Sequence, residues 1–392
     1  MHTGLSLIFQ NLDHARSDAE VYRHELKYAV AAEQSGFDSL WTPEHHFTDY
    51  ELTPNVPQFL SWVAGQTERL RLGTMVSVLP WHDPVRVAEA FTMLDHLSRG
   101  RAILGIGRGL GRIEFEGFRV EMGESRRRFT EYTEAIVQAL ESGVLEYDGE
   151  LYKQPKMDLR PEPYASFRGR TYASAVSPQS INLMADLGIG LMVIAQKPWD
   201  TVESELGEYR KHYLQRNGAE PPKPVICVFV AVGEDEETAS EYREKYLQRY
   251  ALSTVEHYEF DNARFAEIEG YEYYAGLSRN IAKHGIDGFS SFLADLQVWG
   301  TPNQVVEKIL DYVDRLNAGA VLMVPCYGGM PEEVADRNFA LITREVLPRL
   351  KAYDVGGDIG VTYGEGPGPG SQRPFPAYEE PDPEAPPIGL LP

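Results

Sequence analysis

The chain has 392 residues, 43% of them apolar, enough to build a sizeable core and to argue against global disorder. Its 37 basic and 59 acidic residues leave a net charge of −22, which disfavours nucleic acid and anionic membrane surfaces as partners. Cys227 and Cys326, the only cysteines, cannot build a disulfide framework or a zinc cluster. No apolar run is long enough to cross a membrane, and the N-terminus lacks the pattern of a secretory leader, so the expected location is the cytoplasm.

In chain order, short apolar runs alternate with helical patterns. Strands are expected over 3–9, 37–41, 70–79, 101–107, 169–175, 190–195, 223–233 and 318–325. Helices are expected over 18–36, 56–66, 83–100, 125–142, 178–187, 199–216 and 331–351, several of them closed by glycine. Eight strands alternating with helices is the pattern of a (β/α)8 TIM barrel, with an open doubly wound sheet as the alternative. Two excursions break the rhythm: a hairpin-bearing loop at 143–168 and a long insertion at 234–300, between strands 7 and 8. Long connections in compact domains often serve as lids or binding loops. The barrel is assigned to 1–352; residues 353–392 are Gly/Pro-rich and read as a flexible C-terminal tail.

Three stretches carry chemistry. "EHHF" places Glu44, His45 and His46 just past the second strand, at the barrel end that holds active sites. Adjacent histidines in extended chain face opposite ways, so the pair is unsuited to one metal. Hydrogen-bonded loop residues, an acid–base histidine and a metal ligand all remain open. "GIGRGLGR" follows the fourth strand and is neither a P-loop nor a dinucleotide signature. Arg108, with Arg126 from the next helix, could clamp a phosphate, or could be solvated beside a glycine-rich turn. Ser177 and Pro178 open a helix with Ser180 one turn in: a simple cap, or a phosphate site at a helix N-terminus.

Taken together, "GFDSLWTPEHHF", "RLGTMVSVLPWHDPVRVAEAFTMLDHLSRGRAILGIGRGL", "ESRRRF", "YASAVSPQS" and "WGTPNQVVEKI" resemble the bacterial luciferase-like, flavin-dependent monooxygenases, in that family's order over about 3–351. The resemblance implies a barrel that binds reduced FMN, delivered by a separate reductase. Oxygen would add to the flavin as a C4a-peroxide, and one oxygen atom would pass to a small apolar organic substrate. It makes His45, with Glu44 beside it, the catalytic pair. It assigns the phosphate to Arg108, Arg126, Ser177 and Ser180, and the flavin wall to Ser174 and Val176. It also implies a cis peptide at Met75–Val76, packed against the ring, and no metal. Light-emitting members carry a reactive cysteine where this chain has Gly107 and an acid where it has Val176, which weakens the case for bioluminescence. A homodimer through the early barrel helices, 56–66 and 84–97, is expected. Phe9, Trp81 and Phe115 are candidate pocket walls or core residues. The rival readings are a deazaflavin-dependent oxidoreductase, a non-catalytic flavin-binding subunit and a metal-dependent hydrolase.

Overall fold

A computed structural model describes residues 1–174, 178–357 and 359. Eight parallel strands close into a barrel: β1 (His2–Ser6), β2 (Ser39–Thr42), β3 (Arg71–Thr74), β4 (Ala102–Gly107), β5 (Thr171–Ser174), β6 (Gly190–Ile194), β7 (Val225–Val232) and β8 (Ala320–Val324). Each strand pairs with the next, and β1 returns to β8 with His2 opposite Ala320 and Leu5 opposite Met323. The ring has no open edge, so the open-sheet alternative falls. Apolar side chains fill the strands because both faces are covered: every residue of β7 is buried.

The helices start and stop where local chemistry tells them to. Asp18–Ser35 opens on a reciprocal capping box between Ser17 and Glu20, and ends at Gly36, whose φ is +99°. Pro302–Leu316, which packs outside the barrel after β7, opens on a second box between Thr301 and Gln304. The single strand expected over 70–79 is two pieces. The Met75–Val76 peptide is cis, and after it Ser77–Val78 pairs with β4 rather than continuing β3.

The excursions are as expected in place and richer in content. Val144–Asp148 and Lys153–Asp158 form the antiparallel hairpin. The insertion after β7 holds the helices Glu236–Tyr242, Gln248–Tyr258, Glu272–His284 and Ile286–Leu296, then Val298–Gly300, which pairs with β7. Of the tail, 353–357 and 359 are described. Met1 Nα donates to the Tyr353 carbonyl, Lys223 Nζ to that of Val355 and Arg71 Nη1 to that of Ile359. These contacts lay the tail's first residues against the N-terminal ends of the strands; its remainder is outside the described residues.

At that same end, Asp95 and Arg170 form a buried, two-pronged ion pair at 2.7 and 2.9 Å. Arg170 also donates to the carbonyls of Ser166, Ala165, Ala102 and Gly100. The pair ties the helix Pro84–Ser98 to the start of β5.

Candidate active site

The opposite rim, over the C-terminal ends of the strands, holds a cavity of about 180 Å³. It is lined among others by Glu44, His45, Glu51, Met75, Val76, Arg108, Ser174 and Ser180. Val176 and Ser177 lie outside the described residues. Arg126 is not on the cavity wall but meets Arg108 behind it.

β2 delivers Glu44 and His45 to the rim. Glu44 is buried and both its oxygens are engaged. His46 Nε2 and His82 Nε2 donate to Oε1 at 3.0 and 2.5 Å. The Val78 N–H donates to Oε2 at 2.8 Å and Ser77 Oγ at 3.4 Å. Burial opposes its charge, but the hydrogen bonds from His46 and His82 outweigh burial and hold the carboxyl below its usual range. Glu44 therefore ties the end of β2 to the segment beyond the cis bond.

His45 and His46 do point apart, as adjacent residues in extended chain must. His46 packs edge-on against Phe118 and Trp81 at 4.6 and 5.5 Å. His45 turns the other way, between two carboxylates. Its Nδ1–H donates to Glu114 Oε1 at 2.9 Å. Its Nε2 lies 3.4 Å from Glu51 Oε2 and 3.3 Å from Tyr258 Oη. Burial opposes a charge on His45, yet Glu114 and Glu51 prevail and lift it to about 9. Glu114 is buried as well, but the His45 imidazolium holds it at about 2. The His46 N–H also donates to Glu114 Oε1, at 3.0 Å. His257 Nε2 stands 3.8 Å from Glu114 Oε2, beyond hydrogen-bond length, and burial holds its ring below the usual imidazole range.

His45, Glu114 and His257 bring ligand atoms within 4.8 Å of one another, a spacing a metal could use. The 2.9 Å His45 Nδ1–Glu114 contact is of hydrogen-bond length, and an Nδ1 that carries that proton is not itself a ligating atom.

Arg108 and Arg126 converge, with a main-chain oxygen between them. Arg108 Nη2 and Arg126 Nη2 both donate to the Gly270 carbonyl, at 2.8 and 3.3 Å. Tyr271 stacks on Arg108, 4.2 Å from ring centroid to Cζ, and its hydroxyl is 3.0 Å from Ser125 Oγ. Arg108 Nη1 and Arg126 Nε are buried and make no hydrogen bond among the described residues. Two buried cationic donors without acceptors are costly to keep, and they suit a phosphate-bearing ligand.

The glycines of "GIGRGLGR", whose bare backbone could let a ligand approach closely, are used here for the protein's own packing. At Gly107 a β-carbon would sit 2.2 Å from Val76 Cγ2. The missing side chain makes room for the segment after the cis bond. A cysteine at 107 would have to displace Val76. Of the three candidate walls, Trp81 lines the cavity. Phe115 packs under it with Val78, and Phe9 packs in the main core, 5.1 Å from Phe59 and 4.8 Å from Tyr22.

Sequence reading missed Glu114, Glu51, His257 and Tyr258. Glu114 rides on the helix Arg112–Phe118, which is not among the helices expected from the sequence and begins where the glycine-rich stretch ends. His257 and Tyr258 end a helix of the insertion, more than 200 residues from His45, and nothing local announces them.

A closed parallel barrel that gathers its titratable groups at the C-terminal rim is the architecture of a (β/α)8 enzyme. A family model described as "Luciferase-like monooxygenase" matches residues 1–317, and the chain belongs to that family. It is 28% identical over 342 residues to the alkanal monooxygenase alpha chain of Photobacterium leiognathi, covering 86% of this chain and 95% of the relative. Among solved structures, monooxygenase RslO1 from Streptomyces bottropensis aligns with a TM-score of 0.75 at 23% identity, over 89% of this chain and 100% of that one. The oxygenating constituent of 3,6-diketocamphane monooxygenase from Pseudomonas putida, in complex with FMN, gives 0.68 at 20%, over 89% and 98%. An F420-dependent secondary alcohol dehydrogenase gives 0.64 at 15%, over 88% and 97%. These structures share the fold; one is a complex with FMN and one is F420-dependent. No helix among the described residues is long and apolar enough to cross a membrane.

Proposed function

We propose that the chain is the oxygenase component of a two-component system. It would take reduced FMN from a separate flavin reductase and insert one atom of O2 into a small organic substrate, apolar over most of its surface. The observation that carries this reading is the pair of buried, unpartnered guanidinium donors on Arg108 and Arg126, at the same rim as His45. Reduced FMN would supply the electrons that activate O2. Arg108 and Arg126, with Ser180 and Ser177, would hold its phosphate. Met75, Val76 and Ser174 would flank its ring, with Val176 completing that wall. His45 would manage protons beside it, while Glu44 holds the β2 end in place. The apolar part of the cavity would exclude water.

Anaerobic titration with reduced FMN, and in parallel with a reduced deazaflavin, tests the cofactor. Tight binding of reduced FMN followed by oxygen uptake supports the oxygenase; binding of the deazaflavin alone moves the chain to the hydride-transfer branch. Binding without oxygen uptake marks a non-catalytic subunit. Trp62, Met93 and Leu97 are 41%, 53% and 54% exposed on the neighbouring helices Val56–Ala64 and Pro84–Ser98. That apolar face supports a homodimer, which sedimentation would test. A cytoplasmic location completes the reading.

A further inference from the structure

We propose that Glu51 is a second proton-exchanging residue of this centre, sharing a proton with His45 and presenting it to the cavity. The chemical role rests on the oxygenase reading above; the pairing itself stands on geometry.

The loop after β2 folds back on itself. The His45 N–H meets the Thr53 carbonyl at 3.4 Å, and the Leu52 N–H meets that of Phe9 at 3.1 Å. This return brings Glu51, six residues beyond His45 in sequence, against the Nε2 side of the imidazole. Glu51 is 4% exposed, and it lines the cavity beside Met75, Cys227, Phe229 and Tyr250. Among the described residues its one ion-pair partner is His45.

The two carboxylates on His45 thus differ in kind. Glu114 accepts from both the His45 ring and the His46 N–H, and it stays ionised. Glu51 has an apolar wall and one partner. Burial lifts its carboxyl to about 7, against the pull of His45. The groups that face the pair are fixed in charge near neutral pH with one exception, the buried Glu25, whose carboxyl burial lifts to about 8 and which feels the charge of Glu51. Glu44 and Glu114 are held low, and burial keeps His257 neutral. Burial also raises the hydroxyls of Tyr50, Tyr250 and Tyr258 and the Cys227 thiol. What remains to titrate at the cavity is His45 with Glu51, as a coupled unit, with Glu25 next to Glu51 but off the cavity wall.

In the proposed reaction one oxygen atom enters the substrate and the other leaves as water, with two electrons and two protons from the reduced flavin. The pair relays and adds no net proton. The Glu51 O–H bond breaks as an O–H bond forms on the departing oxygen. The His45 Nε2–H bond then breaks to restore the Glu51 O–H. This leaves a neutral imidazole, oriented through its Nδ1–H on Glu114, until one of the two protons released by the flavin refills it through solvent; the flavin's other proton completes the water.

Histidine and carboxyl NMR titrations of the cofactor-free full chain test the pairing. In the wild type the Glu51 carboxyl should titrate near 7. Glu51→Gln should lower the His45 midpoint by about one pH unit, as loss of a nearby opposite charge does. Glu51→Asp should restore most of that. A Glu51 midpoint in the ordinary carboxylate range, or an unmoved His45 in Glu51→Gln, overturns the proposal. Should Glu51→Gln fail to fold, the wild-type Glu51 midpoint decides alone. The catalytic half is read from single-turnover oxidation of bound reduced FMN by O2 across pH. The wild type should show an inflection near 7 that Glu51→Gln lacks; identical profiles overturn it. The NMR arm needs neither flavin nor oxygen, so failure to bind reduced FMN would sink the oxygenase reading without touching the pair.

Discussion

Two buried charge clusters sit at opposite ends of one barrel, and they are built to different standards. At the N-terminal end, Arg170 spends its guanidinium on Asp95 and on four backbone carbonyls. At the C-terminal rim, Arg108 and Arg126 keep buried donors without acceptors, and Glu114 and His257 hold facing atoms 3.8 Å apart with no bond between them. The first cluster is complete and serves the fold. The second is incomplete in the protein alone, and completion falls to whatever binds there. Barrels divide their labour this way, with stability at one end and chemistry at the other.

The contrast can be broken from either side. Asp95→Ala should have the largest effect. It strands a buried guanidinium and should cost about 3–5 kcal/mol of stability in denaturant unfolding. His45→Ala should slow turnover by about a hundredfold or more with reduced-FMN affinity nearly intact, and it should also lower stability, because it strands the buried Glu114 carboxylate. Arg108→Ala should weaken reduced-FMN binding by roughly tenfold to a hundredfold, the value of one or two bonds to a charged group, with little change in unfolding. Equal affinity for wild type and variant would remove Arg108 from the anchor. Gly107→Ala should cost about 1–3 kcal/mol by overpacking against Val76, and adding Val76→Ala should recover part of it.

The remaining expected effect is on pH. His45 rises from 6.5 to about 9 in the folded chain. Its stabilising contribution is therefore complete below 6.5 and lost as pH climbs to 9. Glu114 falls from 4.5 to about 2, so its share is present above 4.5 and lost on acidification. The melting temperature of the cofactor-free chain should decline between pH 6.5 and 9, and His45→Gln should flatten that decline.

The barrel was legible because its signals are local. Runs such as "VICVFVAV" and glycine-closed helices such as Asp18–Ser35 declare themselves within a few residues. The break at Met75–Val76 was legible only through resemblance, since nothing in "GTMVSVL" interrupts a strand pattern. The site was half legible. Rim residues that follow a strand, such as His45 and Arg108, are placed by the strand itself. Glu51 and Tyr258 are placed by how a loop returns and where an insertion lands, and tertiary packing alone decides that. The glycine-rich stretch misled for a related reason: its close neighbour is the protein's own Val76.

The Gly270 contact has a practical corollary for mutagenesis. The oxygen that bridges the two arginines belongs to the main chain, so exchanging a side chain cannot delete it. A β-carbon at 270 would press on Arg108 Nη1 at 2.7 Å, from a backbone with φ of +88°. A conventional alanine scan would therefore register crowding at this position and leave the bridge itself unprobed; an amide-to-ester replacement, which weakens the acceptor and keeps its shape, is the change that isolates it.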